Sequence, residues 1–317
     1  MKLSQDTRVL AFGCGGMLGQ AVQRTFGSKT TFIATDIDVN ESWIQHLDVR
    51  KRDDVEAIVA DFRPDLVLNL AALVDLEYCE LHPDEAFLTN AVGHENVALA
   101  ATNQGAVLVY ISTAGIFDGT KHIYHDYDQP NPISVYARSK YAAERFTQQC
   151  SPRHYVFRAG WMMGGGARKD KKFVGKLLQQ IRQGVDVLYV VGDKLGTPTY
   201  TLNLAENMWH VIESDQFGLY NMASSGQGSR HDVACELVDA LGLQERIRVE
   251  KVTSAYWQDA YFAPRPASEQ LLNLKLTLNG LNKMRSWQNN LRLYLDSPDW
   301  HLSSDVSIAS VQVDRVG

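Results

Sequence analysis

The chain has 317 residues, of which 45% are hydrophobic and 21% are charged, as in a globular protein with a substantial core. Its formal net charge of −6 argues against a nucleic-acid partner, and we interpret its one short basic cluster, residues 168–172, as a solvated loop. No apolar stretch approaches the roughly 20 residues of a membrane span, and residues 1–8 lack an apolar signal core, so we expect a cytoplasmic protein without a membrane partner.

The first half alternates short apolar runs with longer amphipathic patterns. The runs are apolar on consecutive residues, which is typical of buried parallel strands: 8–12, 31–35, 65–70, 106–111 and 155–158. Between them apolar residues recur every three or four positions, which predicts helices at 21–26, 54–61, 83–102 and 136–149. This alternation predicts an α/β fold with a doubly wound parallel sheet.

The second half has a mixed pattern. A glycine-rich loop at 164–166 precedes a predicted helix at 173–183, a strand at 187–191, and helices at 202–212, 231–241 and 281–295. We expect residues 1–160, completed by about 198–223, to form the sheet domain. Residues 161–197 and 224–296 would then form a smaller mixed α/β portion over the carboxyl edge of the sheet, where ligands of such sheets bind. Residues 297–317 are polar and predict an irregular tail.

Three glycines repeat at every third position directly after the first predicted strand, namely Gly13, Gly16 and Gly19. A glycine-rich turn between a strand and a helix lets the backbone approach a pyrophosphate and aims a helix N-terminus at its negative charge. We therefore predict a dinucleotide site in which Gly13, Gly16, Met17 and Leu18 contact the cofactor.

The acidic residue Asp36 at the end of the second predicted strand indicates which dinucleotide is bound. It follows Gly19 at close to the ~20-residue interval at which a carboxylate binds the adenosine ribose hydroxyls. No Lys or Arg follows it closely, and a carboxylate repels a 2′-phosphate, so NAD(H) is favoured and NADP(H) is the alternative. The competing interpretation is that Asp36 only caps a turn.

Two further pairs of residues are predicted to line the dinucleotide site. Asp48 and Val49 follow a third short strand and can flank the adenine. Ala71 and Ala72 offer small side chains where the fourth strand meets the dinucleotide.

A tyrosine and a lysine lie four residues apart on the predicted helix 136–149. Because positions i and i+4 share one helix face, Tyr136 and Lys140 can point into one cleft. A nearby ammonium lowers a tyrosine pKa from its usual value of about 10, and Lys140 can also hold a nicotinamide ribose. Thr113, which closes the fifth predicted strand, can orient a substrate carbonyl, with Ser112 as the alternative. Together with the glycine turn, these groups favour carbonyl reduction.

Two further residues, Trp161 and Arg265, are candidates for substrate binding. Trp161 can stack on a substrate, and Arg265 can either clamp a diphosphate or form a structural salt bridge. The cysteines are scattered and predict buried thiols in a reducing compartment: Cys14, Cys79, Cys150 and Cys235. Four histidines lack metal-like spacing and are interpreted as surface or helix-cap residues: His82, His94, His122 and His125. We predict no metal site.

Several motifs extend this pattern from about residue 9 to residue 295: Asn69-Leu-Ala-Ala72, Cys79-Glu80 with Asn90, Tyr110-Ile-Ser-Thr113 with Phe117-Asp-Gly119, Val135-Tyr136-Ala-Arg-Ser-Lys140, Arg158-Ala-Gly-Trp161, Gly196-Thr-Pro-Thr-Tyr-Thr201 and Arg265-Pro266. With them the sequence resembles the dTDP-4-dehydrorhamnose reductase family of the extended short-chain dehydrogenase/reductase superfamily. The resemblance implies an NAD(P)-binding Rossmann fold and NAD(P)H-dependent reduction of a 4-keto nucleotide sugar. It also implies that Thr113, Tyr136 and Lys140 are catalytic and that Trp161 lies near the sugar.

Two departures from the family pattern leave alternatives open. Ala114 and Gly115 stand where the family has Asp-Tyr and related dehydratases have Asp-Glu, so dehydration is disfavoured while sugar epimerisation remains an alternative. The segment 162–170 is also unlike the family's usual continuation. A third alternative is a non-catalytic subunit resembling the β subunit of methionine adenosyltransferase, although the intact Thr113, Tyr136 and Lys140 argue against it. A homodimer is compatible with the sequence.

Overall fold

The apolar runs of the sequence form strands, and most of the amphipathic stretches form helices, in the computed structural model, which describes residues 1–300. The strands are β1 (Arg8–Phe12), β2 (Thr31–Asp36), β3 (Ile44–His46), β4 (Leu66–Asn69), β5 (Val107–Thr113), β6 (Tyr124–His125), β7 (His154–Ala159), β8 (Trp161–Met163), β9 (Val187–Val191), β10 (Leu195–Gly196), β11 (Pro198–Tyr200), β12 (Gly218–Asn221), β13 (Gly228–Ser229), β14 (Arg248–Val252) and β15 (Leu271–Leu272).

The α-helices that connect these strands are α1 (Met17–Val22), α2 (Arg52–Phe62), α3 (Leu76–Leu81), α4 (Pro83–Phe87), α5 (Gly93–Gln104), α6 (Val135–Cys150), α7 (Gly166–Lys169), α8 (Phe173–Arg182), α9 (Thr201–Glu213), α10 (Arg230–Ala240), α11 (Leu274–Leu278) and α12 (Trp287–Leu295). Wider π-helical turns extend α1 over Gln23–Gly27 and link α4 to α5 over Leu88–Val92. Within residues 1–300 no helix has both the length and the apolar character needed to cross a bilayer.

A seven-stranded parallel sheet has the order β12-β7-β5-β4-β1-β2-β3. All residues of β4, and all but the last of β5, are buried, because helices cover both faces of the sheet. This confirms the predicted α/β fold with a doubly wound parallel sheet. The direction of winding reverses between β1 and β4, and ligands of open α/β sheets bind at the carboxyl ends of the strands beside such a switch point.

A second apolar core lies outside the sheet. It is formed by α8, α10 and α12 around the parallel pair β9 and β14. The chain returns to the main sheet between these elements, since α9 leads to β12, which pairs with β7 at the edge. Two short parallel pairs connect the two parts: β8 with β11, and β6 with β15.

The helix predicted at 281–295 begins later, at Trp287. The backbone N–H groups of Lys283 and Arg285 donate instead to the side chains of Asn207 and Asn203 on α9. These bonds hold the preceding segment in an extended path across α9, and periodicity alone cannot reveal them.

Three other expectations about exposure were wrong. In the basic cluster 168–172, Asp170 is buried and accepts a hydrogen bond from the Tyr294 hydroxyl, so the cluster is not simply a solvated loop. His94 is buried rather than superficial, and burial lowers its pKa to about 3, whereas the Cys235 thiol is exposed. Within the segment predicted as a tail, Trp300 packs into the second core, and residues 301–317 lie outside the described residues.

Candidate functional site

The glycine turn combines close packing with an open face. Gly13 has a φ of +81°, and a Cβ added there would lie 2.2 Å from the backbone nitrogen of Ala71. A Cβ on Gly19 would lie 2.0 Å from the carbonyl oxygen of Cys14, so α1 packs directly on the turn. A Cβ on Gly16 would meet nothing within 4 Å, and no side chain caps α1 there. The open face at the start of α1 fits a pyrophosphate.

Asp36 lies beside this turn and is held by it. Its carboxylate accepts hydrogen bonds from the N–H groups of Gly15 at 2.8 Å and Asp38 at 2.9 Å. A Cβ on Gly15 would lie 2.9 Å from the Asp38 carbonyl oxygen, so this position also needs glycine. Gly15 was not among the predicted site residues, although its position between Gly13 and Gly16 is the sequence signal that could have indicated it. A carboxylate accepts about four hydrogen bonds, so Asp36 can cap this turn and still bind ribose hydroxyls.

The loop after β8 covers the glycine turn. A Cβ on Gly165 would lie 3.3 Å from the Cα of Met17. Farther along, the Arg168 guanidinium donates to the Asn40 carbonyl at 2.8 Å and to Glu41 at 3.0 Å. The Lys169 side chain is only 4% exposed, and its ammonium lies 3.4 Å from the same Glu41 carboxylate. No Lys or Arg follows Asp36 closely in the sequence, but the fold brings Arg168 and Lys169 to residues 40 and 41, shortly after Asp36.

The other residues predicted to bind cofactor have structural contacts of their own. Asp48 forms a salt bridge with Arg50, which lowers the pKa of the carboxyl group. Val49 is buried against Gly93, and Leu18 is buried in the core beneath the sheet. Ala71 is half-buried beside Gly13, as is its neighbour Ala72.

Several polar side chains fix the start of α6, the helix that carries Tyr136 and Lys140. The Ser134 hydroxyl accepts from the N–H of Ala137, and Glu80 accepts from the N–H of Val135 at 2.7 Å. Asn90 donates to the Ser139 hydroxyl at 2.9 Å. Glu80 and Asn90 therefore help to fix the position of α6.

Tyr136 meets Thr113 at the carboxyl end of β5. Their side chains lie close enough for the Thr113 hydroxyl to lower the tyrosine pKa, and that hydroxyl accepts from the N–H of Gly115 at 3.1 Å. Burial raises the pKa of Tyr136 to about 12, the Thr113 hydroxyl lowers it, and the charges of Cys79 and Glu269 raise it. The phenol is therefore protonated at neutral pH, as a proton donor must be.

Lys140 lies one turn farther along α6 and is 4% exposed. Its ammonium sits 4.3 Å from the centroid of the Tyr110 ring. Burial lowers its pKa to about 7, against a smaller opposing effect of the Glu144 carboxylate. A buried ammonium with few protein partners fits a residue that completes its hydrogen bonds with a ligand.

Ser112 does not face the cleft, which corrects the substrate-binding role that we predicted for it. The side chain is 2% exposed, and its hydroxyl donates to the Glu144 carboxylate at 2.6 Å. Glu144 is also paired with Arg158 at 2.6 Å, deep between α6 and β7. Successive strand residues point to opposite faces, so Thr113 points away from Ser112 and Glu144.

We expect Ser112→Ala to reduce stability without impairing substrate binding. Loss of the hydroxyl leaves the buried Glu144 carboxylate one donor short, at a cost of about 1–2 kcal/mol in the free energy of unfolding. Denaturant unfolding and KM measure the two effects, with the exposed Ser42→Ala as control. A raised KM at unchanged stability would contradict the structural role.

Trp161 lies beside two charged residues that we had not singled out. Its indole N–H donates to the Glu269 carboxylate at 2.6 Å, and the Arg230 guanidinium lies 4.5 Å from the ring centroid. The backbone of Gly196 also packs on the ring, where a Cβ would lie 2.2 Å away. A sugar stacked on Trp161 would compete with these contacts, so the indole is better placed to act through its edge.

Arg265 forms the structural salt bridge that was one of its two predicted roles. Its guanidinium pairs with Glu77 at 2.7 Å and donates to the Ala263 carbonyl at 2.9 Å. Arg230, by contrast, makes no hydrogen bond or ion pair with other residues of the 1–300 range and is sandwiched near the rings of Trp161 and Phe173. In the same range no group of three or more His, Cys, Asp or Glu residues is arranged to hold a metal ion.

Comparison with known proteins agrees with this architecture. Residues 7–299 match the family described as RmlD substrate binding domain. The dTDP-4-dehydrorhamnose reductase of Salmonella typhimurium is 31% identical over 307 residues, which cover 93% of this chain and 94% of that protein.

Two solved structures extend the likeness to three dimensions. The dTDP-4-dehydrorhamnose reductase of Clostridium acetobutylicum superposes with a TM-score of 0.83 at 31% identity, covering 92% of this chain and 99% of its own. The Bacillus anthracis reductase, solved in complex with NADP, also gives a TM-score of 0.83, at 27% identity, covering 93% and 99%. The chain therefore belongs to the RmlD family of NAD(P)-dependent oxidoreductases.

Proposed function

We propose that the protein reduces the 4-keto group of a nucleotide-activated deoxysugar, with Tyr136 as the general acid. The observation that carries this proposal is the proximity of Tyr136 and Thr113 at the carboxyl end of β5, with the buried Lys140 one turn away on α6. The names of the relatives support the same substrate class.

Each of the three residues has a distinct task in this proposal. When bound, the nicotinamide dinucleotide supplies the hydride. The Thr113 hydroxyl orients the carbonyl oxygen, and Tyr136 donates its proton to the alkoxide that develops there. Because the pKa of Tyr136 is raised to about 12, the phenol keeps its proton until a stronger base, the alkoxide, accepts it. Lys140 holds the nicotinamide ribose. Its positive charge also stabilises the phenolate that remains after Tyr136 has donated its proton.

We assign the dinucleotide to residues 1–160 together with about 198–223, and the substrate to 161–197 and 224–296. The glycine turn, with its open face at Gly16, supports the first assignment. In the second part, Arg230 is better placed than Arg265 to meet the substrate diphosphate, because Arg265 is already paired with Glu77 while Arg230 has no ion-pair partner among residues 1–300. An arginine fork matches phosphate geometry.

The test is consumption of NADH or NADPH in the presence of dTDP-4-keto-6-deoxyhexoses. A reductase oxidises one cofactor molecule for each sugar reduced, whereas an epimerase regenerates its bound cofactor and shows no net consumption. Absence of net oxidation with every keto sugar would refute the proposal.

We expect NADH to bind more tightly than NADPH. The Asp36 carboxylate, fixed by Gly15 and Asp38, would face a 2′-phosphate, and this repulsion costs on the order of 1 kcal/mol, or roughly fivefold in affinity. Arg168 and Lys169 offset little of it, since both are paired with Glu41. Titration of both cofactors into the wild type and Asp36→Ser measures the preference.

The variant should lose the preference for NADH, while a control substitution of an exposed acidic residue on α2, Asp53→Ser, should keep it. Equal affinity of the wild type for the two cofactors would show that Asp36 does not select between them.

A further inference from the structure

A carboxylate from a distant part of the chain lies next to the catalytic threonine. If Gly115 carried a Cβ, that atom would lie 3.1 Å from Oε1 of Glu269 and 3.5 Å from Oγ1 of Thr113. The first distance is tighter than an ordinary contact, so any larger residue at Gly115 would displace the glutamate. The glycine therefore leaves the space that Glu269 occupies at the carboxyl end of β5.

Glu269 is held firmly in this place. Its backbone N–H donates to the Leu195 carbonyl at 2.9 Å, and its neighbours Ser268 and Gln270 are both buried. The Trp161 indole N–H binds Oε2 at 2.6 Å. Trp161 thus fixes the orientation of the carboxylate through its hydrogen bond to Oε2.

The other oxygen, Oε1, accepts no hydrogen bond from residues 1–300, although the side chain is half-buried. Glu269 stabilises the positive charge of Arg230 without a direct hydrogen bond. The negative charge of Glu269 also reaches Tyr136, whose pKa it raises. The partly exposed carboxylate keeps contact with solvent, so a hydroxyl group of a ligand can replace water as the donor to Oε1.

We propose that Glu269 selects substrates with a hydroxyl group on the ring carbon next to the reacting carbonyl, by accepting a hydrogen bond through Oε1. The inference rests on the proposed function, since it uses the carbonyl position defined by Thr113 and Tyr136. In a 4-keto-6-deoxyhexose the two neighbours of the carbonyl are carbon 3, with a hydroxyl, and carbon 5, with a methyl group. Only the hydroxyl at carbon 3 can donate to a carboxylate.

The experiment compares two substrates on matched variants. The substrates are a dTDP-4-keto-6-deoxyhexose with the hydroxyl at carbon 3 and its 3-deoxy analogue. The wild type should prefer the hydroxylated sugar by about 10- to 100-fold in kcat/KM, as expected for a hydrogen bond to a charged group. In Glu269→Ala the preference should fall to within about threefold, because the acceptor is gone.

The isosteric Glu269→Gln guards against misfolding, because its amide oxygen can still accept from the Trp161 indole N–H. Its NH2 group then takes the place of Oε1 and cannot accept a hydrogen bond, so the preference should fall in this variant too. The exposed Glu245→Ala serves as control and should retain all of it. Equal losses on both substrates in Glu269→Ala, or an unchanged preference, would overturn the assignment of Glu269.

Failure of the proposed function has a different signature, namely no cofactor oxidation by the wild type with either sugar. In that case the same pair of sugars is titrated calorimetrically into wild type and Glu269→Ala. A preference for the hydroxylated sugar that disappears in the variant would support the role of Glu269 independently of catalysis, and equal binding of the two sugars by the wild type would overturn it.

Discussion

Tyr136→Phe is expected to lower kcat by about 10²- to 10⁴-fold, the usual contribution of a positioned acid or base. The substitution removes one oxygen atom, the phenolic oxygen whose pKa Thr113 lowers. The ring and its packing remain, so the affinity for the cofactor should change little. Steady-state reduction of a dTDP-4-keto-6-deoxyhexose and a separate NADH titration measure the two quantities.

The same helix provides a matched control. Tyr141 directly follows Lys140 on α6, and its hydroxyl accepts a long hydrogen bond of 3.5 Å from the Gln129 side chain. We expect Tyr141→Phe to keep kcat within about twofold of the wild type, as for a surface substitution. Turnover by Tyr136→Phe at the rate of this control would rule out the phenol as the proton donor.

Lys140→Met is expected to abolish most of the activity and at the same time to stabilise the protein. The folded state lowers the pKa of Lys140 from 10.5 to about 7, so below pH 7 the fold must bury an ammonium that the unfolded chain leaves in water. Methionine has a similar shape and no charge. We expect a gain on the order of 2–4 kcal/mol in the free energy of unfolding at pH 6.

The sign of the pH dependence follows from the lowered pKa. Between about pH 7 and 10.5 the unfolded wild type binds a proton that the folded protein has lost, so wild-type stability rises with pH in this window. The advantage of Lys140→Met should therefore be larger at pH 6 than at pH 9. Denaturant unfolding at the two pH values, with the exposed Lys51→Met as control, measures it, and a gain that is absent or independent of pH would contradict the buried ammonium.

Much of the site could be predicted because its signals are local. The glycine turn follows a strand within a few residues, and Tyr136 and Lys140 are neighbours on one helix face. Asp36 was found by its interval from the turn. The fold class followed from the alternation of apolar runs with amphipathic stretches, which depends on secondary-structure periodicity and not on distant contacts.

Other expectations failed where a distant contact decided the outcome. Ser112 and Thr113 are equivalent in sequence, yet the buried Glu144 takes the hydroxyl of Ser112 and leaves Thr113 to the cleft. Residues of the basic cluster, including Lys169, fold back onto the loop after β2. For Arg265 the sequence left open a diphosphate clamp or a structural salt bridge, and the structure shows a salt bridge with Glu77.

The sequence by itself thus determined the parallel α/β fold, and it predicts the glycine turn and the Thr113, Tyr136 and Lys140 set as the site, because short motifs encode each of them. Only the tertiary structure brought Glu269 to Gly115 and placed Arg230 over the Trp161 ring. The contact between Trp161 and Glu269 joins residues 108 positions apart, and no local pattern encodes such a pairing. Short motifs therefore indicate the candidate catalytic groups, whereas the surroundings of these groups arise from packing between distant parts of the chain.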